Sequence, residues 1–299
     1  MMRALSCDSS GERTLTNTLM TVWQKQASAA WLSANESRLE IIAGVRLAII
    51  QRPDRARRLV QVICQRRADA EKLQHDFGGG IASLPEGGFQ VSSSHPPIRI
   101  GRRLEIVSEP TTGIEKRSQL IIPAAGVFGT GEHSSTAMSL RLLEETTRKF
   151  APGWRLLDAG TGTGILALSA RRLGAAQALG LDNDPLAISA ARHNARLNRI
   201  GRVKFAVGDI LRFKPAARCE VVTANLFSEL LIAALPIFRH ALRRRGSLIL
   251  SGILREQAPD VLAALPGVGF EVKTKRCRGK WVALTCGLFA LRSAEEDPA

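Results

Sequence analysis

One stretch near the middle of the chain constrains the fold more than any other: Leu156-Leu157-Asp158-Ala159-Gly160-Thr161-Gly162-Thr163-Gly164-Ile165-Leu166. An apolar run ends in an acid, passes three glycines at every second position, and enters a second apolar run. Glycines tolerate positive φ and let a ligand approach the backbone closely, so this reads as a strand, a tight turn and a helix. From residue 119 onward the same alternation repeats. Strands are expected at 155–158, 178–182, 203–207, 220–224, 247–251, 270–276 and 280–286. Helices are expected at 135–149, 164–173, 185–198, 228–242 and 255–265. This spacing implies an α/β domain, with a doubly wound, mostly parallel seven-stranded sheet and helices on both faces. The last two strands have no room for a helix between them, so they form a hairpin and one runs antiparallel.

Before residue 119 the pattern is mixed and reads as a smaller α+β domain. A short helix is expected over 23–32, and one or two strands over 39–50. A further helix is expected to open at Pro53, with Leu59, Val62, Ile63, Ala70 and Leu73 as its buried stripe. Residues 78–97 read as a glycine-, serine- and proline-rich connector, followed by a strand over 98–107 with a turn or bulge at Gly101. The expected organisation is a loose tail over 1–19, a substrate-recognition domain with its connector over 20–118, a catalytic domain over 119–292 and a tail over 293–299.

The chain of 299 residues carries 42 basic and 27 acidic residues, a formal net charge of +15. That balance favours acidic partners and leaves direct nucleic-acid binding open, but the charge is dispersed. Tyrosine is absent and aromatics are 5%, so platforms for stacking bases are few. The five cysteines are scattered without a C-x-x-C, which fits reduced thiols rather than a disulfide framework or zinc site. No apolar run approaches the ~18–20 residues of a membrane span, and residues 1–20 lack a secretory apolar core. A cytoplasmic protein without a metal centre is expected.

The glycine spacing discriminates between cofactors. A dinucleotide fingerprint is G-x-G-x-x-G, but Ile165 stands where its third glycine belongs. An acid before the first glycine would repel a pyrophosphate and attract the ammonium of an amino-acid-like ligand. D-x-G-x-G-x-G is therefore the pattern of an S-adenosylmethionine pocket, with Asp158, Gly160, Gly162 and Gly164 as its first strand–turn. Asp182 ends the next strand and can accept both ribose hydroxyls. Asp184, before Pro185, reads as a helix cap. Asp209 ends the third strand, where it either faces the adenine amino group or serves as a turn residue. Asn225 follows the fourth strand in Val222-Thr223-Ala224-Asn225-Leu226-Phe227. It is either a helix cap or the amide that orients a target amine, and the position at the carboxyl edge of the sheet favours the second.

Further segments carry a resemblance. Phe128-Gly129-Thr130-Gly131-Glu132-His133-Ser134-Ser135-Thr136 is similar to the F-G-T-G-x-H-x-T-T segment of the PrmA family, the methyltransferases of ribosomal protein L11. The glycine turn, Gly174-Ala175-Ala176, Ala224-Asn225 and Leu250-Ser251-Gly252-Ile253-Leu254 fit the same family in the same order, over roughly residues 119–286. Ser134-Ser135 replace the usual Pro-Thr, and Leu84-Pro85-Glu86-Gly87-Gly88-Phe89 lacks the family's connector tryptophan. The resemblance implies a class I, Rossmann-like fold that uses S-adenosyl-L-methionine. Its cofactor contacts would fall at Thr136, Gly160, Asp182 and Asn225, with Asn225 as the catalytic residue. It also implies N-methylation of ribosomal protein L11, at lysine side chains or the amino terminus, on or near the ribosome. The alternatives are a methyltransferase for another protein, a small amine or RNA, and an inactive ribosome-associated module that binds the cofactor.

Overall fold

The computed structural model describes residues 19–43, 47–50, 57–64, 66–85, 97–109, 118–123, 131 and 133–289. The carboxy-terminal sheet follows the expected alternation. Its strands are β8 (Arg155–Ala159), β9 (Gln177–Asp182), β10 (Val203–Val207), β11 (Cys219–Asn225), β12 (Leu242–Leu254), β13 (Phe270–Arg278) and β14 (Trp281–Leu288). They lie in the order β10-β9-β8-β11-β12-β14-β13. The first five run parallel, and β14 is antiparallel to both its neighbours, so the hairpin supplies the one reversed strand. Strand order reverses on either side of β8, which makes its carboxyl end the switch point where ligands bind in such sheets.

Both faces of this sheet are covered, and the strands show it residue by residue. Leu156, Val221, Ile249 and Ala283 join one core with α3 (Ser134–Thr146), α4 (Ile165–Arg172) and α5 (Pro185–Leu197). Their neighbours Leu157, Val222, Leu250 and Leu284 join the other, with α6 (Ser228–Ala241) and α7 (Ala258–Gly267). Successive side chains of a strand point to opposite faces, so strands covered on both sides read as unbroken apolar runs.

The amino-terminal region departs from several expectations. Residues 19–27 form strand β1 (Leu19–Ala27), and the helix begins only afterwards, as α1 (Ala29–Ala43). The expected helix over 23–32 is therefore overturned at 23–27 and holds over 29–32. Local helix formers such as Gln24, Lys25 and Gln26 yield to pairing on both sides: β1 is hydrogen-bonded to β3 (Arg58–Cys64) and to β4 (Gly80–Pro85). That pairing buries Trp23, whose Nε1 donates to Gly78 O at 2.9 Å. The strand expected over 39–50 shrinks to β2 (Leu47–Ile50), because Leu39 is buried as part of α1.

The helix placed from Pro53 onward is also corrected. Leu59, Val62 and Ile63 lie on β3, and only Ala70 and Leu73 lie on a helix, α2 (Arg67–Phe77). Pro53 itself is outside the described residues. The apolar positions 59, 62, 63 fit a helical stripe as well as a strand; buried Val60, Val62 and Cys64 reveal the period of two. The expected connector contains β4, and residues 86–96 lie outside the described set. The resulting sheet, β2-β3-β1-β4, has its own core of Trp23, Leu32, Leu39, Val60, Leu73 and neighbours.

A third, three-stranded sheet is formed by β5 (Ile98–Ile100), β6 (Leu104–Val107) and β7 (Ser118–Ile121). The turn expected at Gly101 separates β5 from β6, with Gly101 at φ +57°. Ile100, Leu104, Ile106 and Leu120 enter the core of α3 and α4. Arg103 of the same turn donates to Glu144 Oε1 at 3.2 Å and to Thr147 Oγ1 at 2.8 Å. Burial pushes the Glu144 carboxyl up, but bonds from Arg148 and Arg103 outweigh it and hold the carboxyl below its usual range. A boundary at 118/119 therefore cuts through a sheet whose side chains belong to the carboxy-terminal core.

Candidate functional site

The glycine turn is held by β9 from beneath. Gly160 N and Thr161 N donate to Leu181 O at 2.8 and 3.0 Å. Gly160, Gly162 and Gly164 sit at φ +70°, +54° and +80°. These are left-handed angles that side chains disfavour. Space imposes a second restriction at two of them. A Cβ at Gly160 would lie 2.3 Å from Leu226 Cδ2, and one at Gly164 would lie 2.9 Å from Phe205 Cζ. Leu226 thus closes over the turn from the β11 side, and Gly164 lets α4 settle against Phe205.

Asp158 sits differently from the expectation. It is fully buried beneath the turn, and each carboxylate oxygen accepts a threonine hydroxyl. Thr161 Oγ1 donates to Oδ2 at 2.6 Å and Thr223 Oγ1 to Oδ1 at 2.7 Å. Burial pushes the carboxyl up to about 6, against those two hydrogen bonds. In this geometry Asp158 fastens the turn to β11 rather than facing a ligand's ammonium.

Asp182 is the more accessible acid. Its Oδ2 accepts from Gly162 N at 2.9 Å and its Oδ1 from Asp184 N at 3.0 Å. Burial raises the carboxyl above its usual range, with the backbone amides of Asp184, Gly162 and Asn183 opposing the shift. The residue is partly exposed at the end of β9, and each carboxylate oxygen has a second lone pair beyond its bond to an amide. Asp184 caps α5 as expected, its Oδ1 accepting from Leu186 N at 2.9 Å with Pro185 in the first turn. Asp209 is exposed and accepts from Leu211 N at 2.9 Å, which is the turn role.

Asn225 does not cap α6. That place is taken by Phe227, without a side-chain bond. Instead Asn225 Nδ2 donates to Thr136 Oγ1 at 3.3 Å, joining two candidate residues 89 positions apart. Gly252, at φ +80°, is a residue the motif reading did not single out for the site. A Cβ there would lie 2.4 Å from Leu226 O and 3.0 Å from Asn225 Oδ1, so only glycine lets β12 pass this amide. Ser251 Oγ adds a tie to Ser135 O at 3.1 Å. Residues 124–130 and Glu132 of the Phe128–Thr136 segment lie outside the described residues. His133 begins α3 as its cap: Nδ1 lies 3.4 Å from Ser135 N and 2.7 Å from Ser135 Oγ, so Nδ1 is the acceptor. Its ring meets Trp281 edge-on at 4.9 Å.

Residues 47–287 match the sequence model of the family described as ribosomal protein L11 methyltransferase (PrmA). The chain belongs to the PrmA family. It is 38% identical over 199 residues to a ribosomal protein L11 methyltransferase of Pelotomaculum thermopropionicum, covering 66% of this chain and 63% of that one. With the enzyme of the same name from Thermus thermophilus it is 39% identical over 168 residues, covering 56% and 64%. The chain thus spans slightly less than two thirds of the length of these relatives. Among solved structures, a ribosomal protein L11 methylase from Lactobacillus delbrueckii subsp. bulgaricus matches with a TM-score of 0.58 and 27% identity. That match covers 66% of this chain and 99% of the other.

Among the described residues no three His, Cys, Asp or Glu side chains gather as a metal site, and no helix is long and apolar enough to cross a membrane. Burial holds the Cys219 and Cys286 thiols protonated, pushed up to about 11 and about 12.

Proposed function

We propose that this chain transfers a methyl group from S-adenosylmethionine to amine nitrogens of ribosomal protein L11. The observation that carries the reading is a convergence at one edge. The glycine turn after β8, Asp182 at the end of β9 and the Asn225–Thr136 pair at the end of β11 all meet at the switch point of a PrmA-family chain.

The residues present suit that cofactor. Three glycines let a ligand approach the turn's backbone closely, and the Asp182 carboxylate is ready for a ribose diol. Leu186, Val207, Leu211 and Phe227 are exposed apolar side chains next to the same strand ends, and an aromatic base would cover such surface. Asp209, two residues past the end of β10, keeps its turn bond to Leu211 N and is the residue proposed to face the adenine amino group with its remaining lone pairs. When bound, S-adenosylmethionine supplies a sulfonium methyl, which passes to the amine lone pair as the C–S bonding pair stays on sulfur. Asn225 accepts the amine's N–H through its oxygen and aims the lone pair, while Thr136 fixes the amide's rotation. A lysine ammonium has no lone pair, so a desolvating site must favour the neutral amine, and the proton leaves to water. Positioning supplies most of the acceleration.

The amino-terminal sheet, with its separate core, is the unit proposed to recruit the protein substrate, using contacts remote from the reacting atoms. The test is full-length protein, labelled cofactor and purified ribosomal protein L11, read by intact mass. Added methyl groups on lysines or the amino terminus are the expected result. An unmodified L11 beside a modified second protein, small amine or RNA would overturn the substrate; no transfer to anything in a lysate would leave a cofactor-binding module.

A further inference from the structure

We infer that the groove between α5 and the edge strand β10 is a binding site for the phosphodiester backbone of RNA. The groove measures about 680 Å³ and is walled by Arg192, Arg196, Arg199 and Lys204 over a floor that includes Ile200 and Phe205. All four cations are exposed, and among the described residues none of them has a carboxylate within ion-pair distance. Arg192 Nη2 donates to Phe205 O at 2.8 Å, which lays its guanidinium across the groove rather than away from it.

Two bland explanations account for part of this. Cations near a helix carboxyl terminus are favoured by its dipole, and a lysine on an edge strand discourages strand addition. Neither explains the backbone. Helix α5 ends in a Schellman arrangement, with Ile200 N donating to Ala195 O at 2.9 Å and Arg199 N to Arg196 O at 3.0 Å. The residue after the cap in this arrangement is left-handed and is usually glycine. Here it is Arg199, at φ +53°. Three residues on, Arg202 repeats the exception at φ +55°, and these are the two described non-glycine residues with positive φ. The loop thus carries long cationic side chains at two positions where folding alone favours glycine. Arg202 also stands close enough to Arg171 that its charge, together with burial, depresses the Arg171 guanidinium. Like charges are gathered here against their mutual repulsion, which a bound polyanion would offset.

The shape selects the kind of anion. Arg192 and Arg196 are one helical turn apart, about 6 Å along the axis, so the groove presents a row of charges rather than a single anion hole. Guanidinium forks match phosphate geometry bidentately. The aromatic ring that lines the groove, Phe205, is buried against the glycine turn and gives bases nothing to stack on. Contacts are therefore with the backbone and independent of sequence. The site lies away from the carboxyl edge and does not depend on the methyl-transfer reading.

The test is fluorescence anisotropy of a labelled single-stranded uridine oligonucleotide with the full-length protein. Four phosphates neutralised at about 0.7 each give a salt slope near 3, hence an affinity drop of about 60-fold from ~50 to ~200 mM salt. Arg199→Gly should lower the slope by about 0.7 and Arg196→Gln/Lys204→Gln by about 1.4. The unfolding temperature of Arg199→Gly should be unchanged or higher, which separates lost binding from lost fold. Lys275→Gln/Arg278→Gln, exposed on β13 at the opposite edge of the sheet, should leave binding intact. The proposal is overturned if the oligonucleotide does not bind at low salt. It is also overturned if the β13 variant weakens binding as much as the groove variants, since the attraction is then diffuse. Displacement of the RNA by oligoglutamate at equal charge concentration would make the groove a site for acidic protein instead.

Discussion

The two ends of the strands in the seven-stranded sheet are built with opposite charge. At the carboxyl ends stand Asp158, Asp182 and Asp209, with Asn225 beside them. At the amino ends stand Arg155, Arg202, Arg218 and Arg243, at or next to the first residues of β8, β10, β11 and β12. One sheet therefore offers an acidic edge, suited to a sulfonium donor and an amine, and a basic side, suited to a polyanion. The acids are spent differently, however. Asp158 is buried to hold the turn, whereas Asp182 keeps a partly exposed oxygen pair. Arg202, Arg218 and Arg243 stay exposed, although Arg243 also meets Glu220 at 2.9 Å, and Arg155 is half-buried.

The sharpest way to break this comparison is at Asn225. Asn225→Ala should slow methyl transfer by about 100-fold or more at saturating cofactor, as loss of aim at a reacting group does. Cofactor affinity, read by calorimetry, should fall much less. Equal losses in both would make Asn225 a cofactor contact alone.

Asp158→Asn probes the buried acid through stability. With a folded value of about 6 against an ordinary value of about 4, only the folded state holds the proton between those two pH values. Below that window both states are protonated; above it the buried carboxylate is ionised at a cost. Wild-type stability should therefore fall, relative to the variant, as pH rises from 4 to 7, by roughly 2 kcal/mol. The threonine hydroxyls can donate or accept, so the asparagine remains paired. Urea unfolding of both proteins across that range checks it, and a difference independent of pH would show that Asp158 does not hold the proton.

At Asp182 the expected loss is in binding. Asp182→Ala removes the ribose acceptor and leaves Gly162 N and Asp184 N without their partner, so affinity for S-adenosylmethionine should fall about tenfold or more. Titration calorimetry on the folded variant decides it, and unchanged affinity would remove Asp182 from the site. The smallest effect belongs to the basic side. Arg199→Gly relieves a left-handed residue and should stabilise the fold by up to about 1 kcal/mol in thermal unfolding. A clear loss would show that the arginine is there for structure.

Sequence by itself determined the order of elements from residue 155 onward. The strands from β8 to β11 are largely apolar runs closed by an acid, amide or glycine, and α5 has a local start signal in Asp184 before Pro185. Those signals act within a few residues, so they are legible in a linear reading, as was the glycine turn with Asp182 beside it. Tertiary structure decided what depends on distant partners. Gln24 and its neighbours favour a helix alone, but become β1 because β3 and β4 flank them. Asp158 reads as a ligand acid until Thr223, 65 residues away, is found beneath the turn. Ile100, Leu104 and Ile106 read as the end of the amino-terminal domain until their side chains are found in the core of α3 and α4. Asn225 keeps a cap reading beside the favoured amine-orienting one until it is found bonded to Thr136, with Phe227 at the start of α6. Charges on a list look dispersed, and only the fold gathers Arg192, Arg196, Arg199 and Lys204 into one groove, because helix periodicity and an edge strand bring them to the same side.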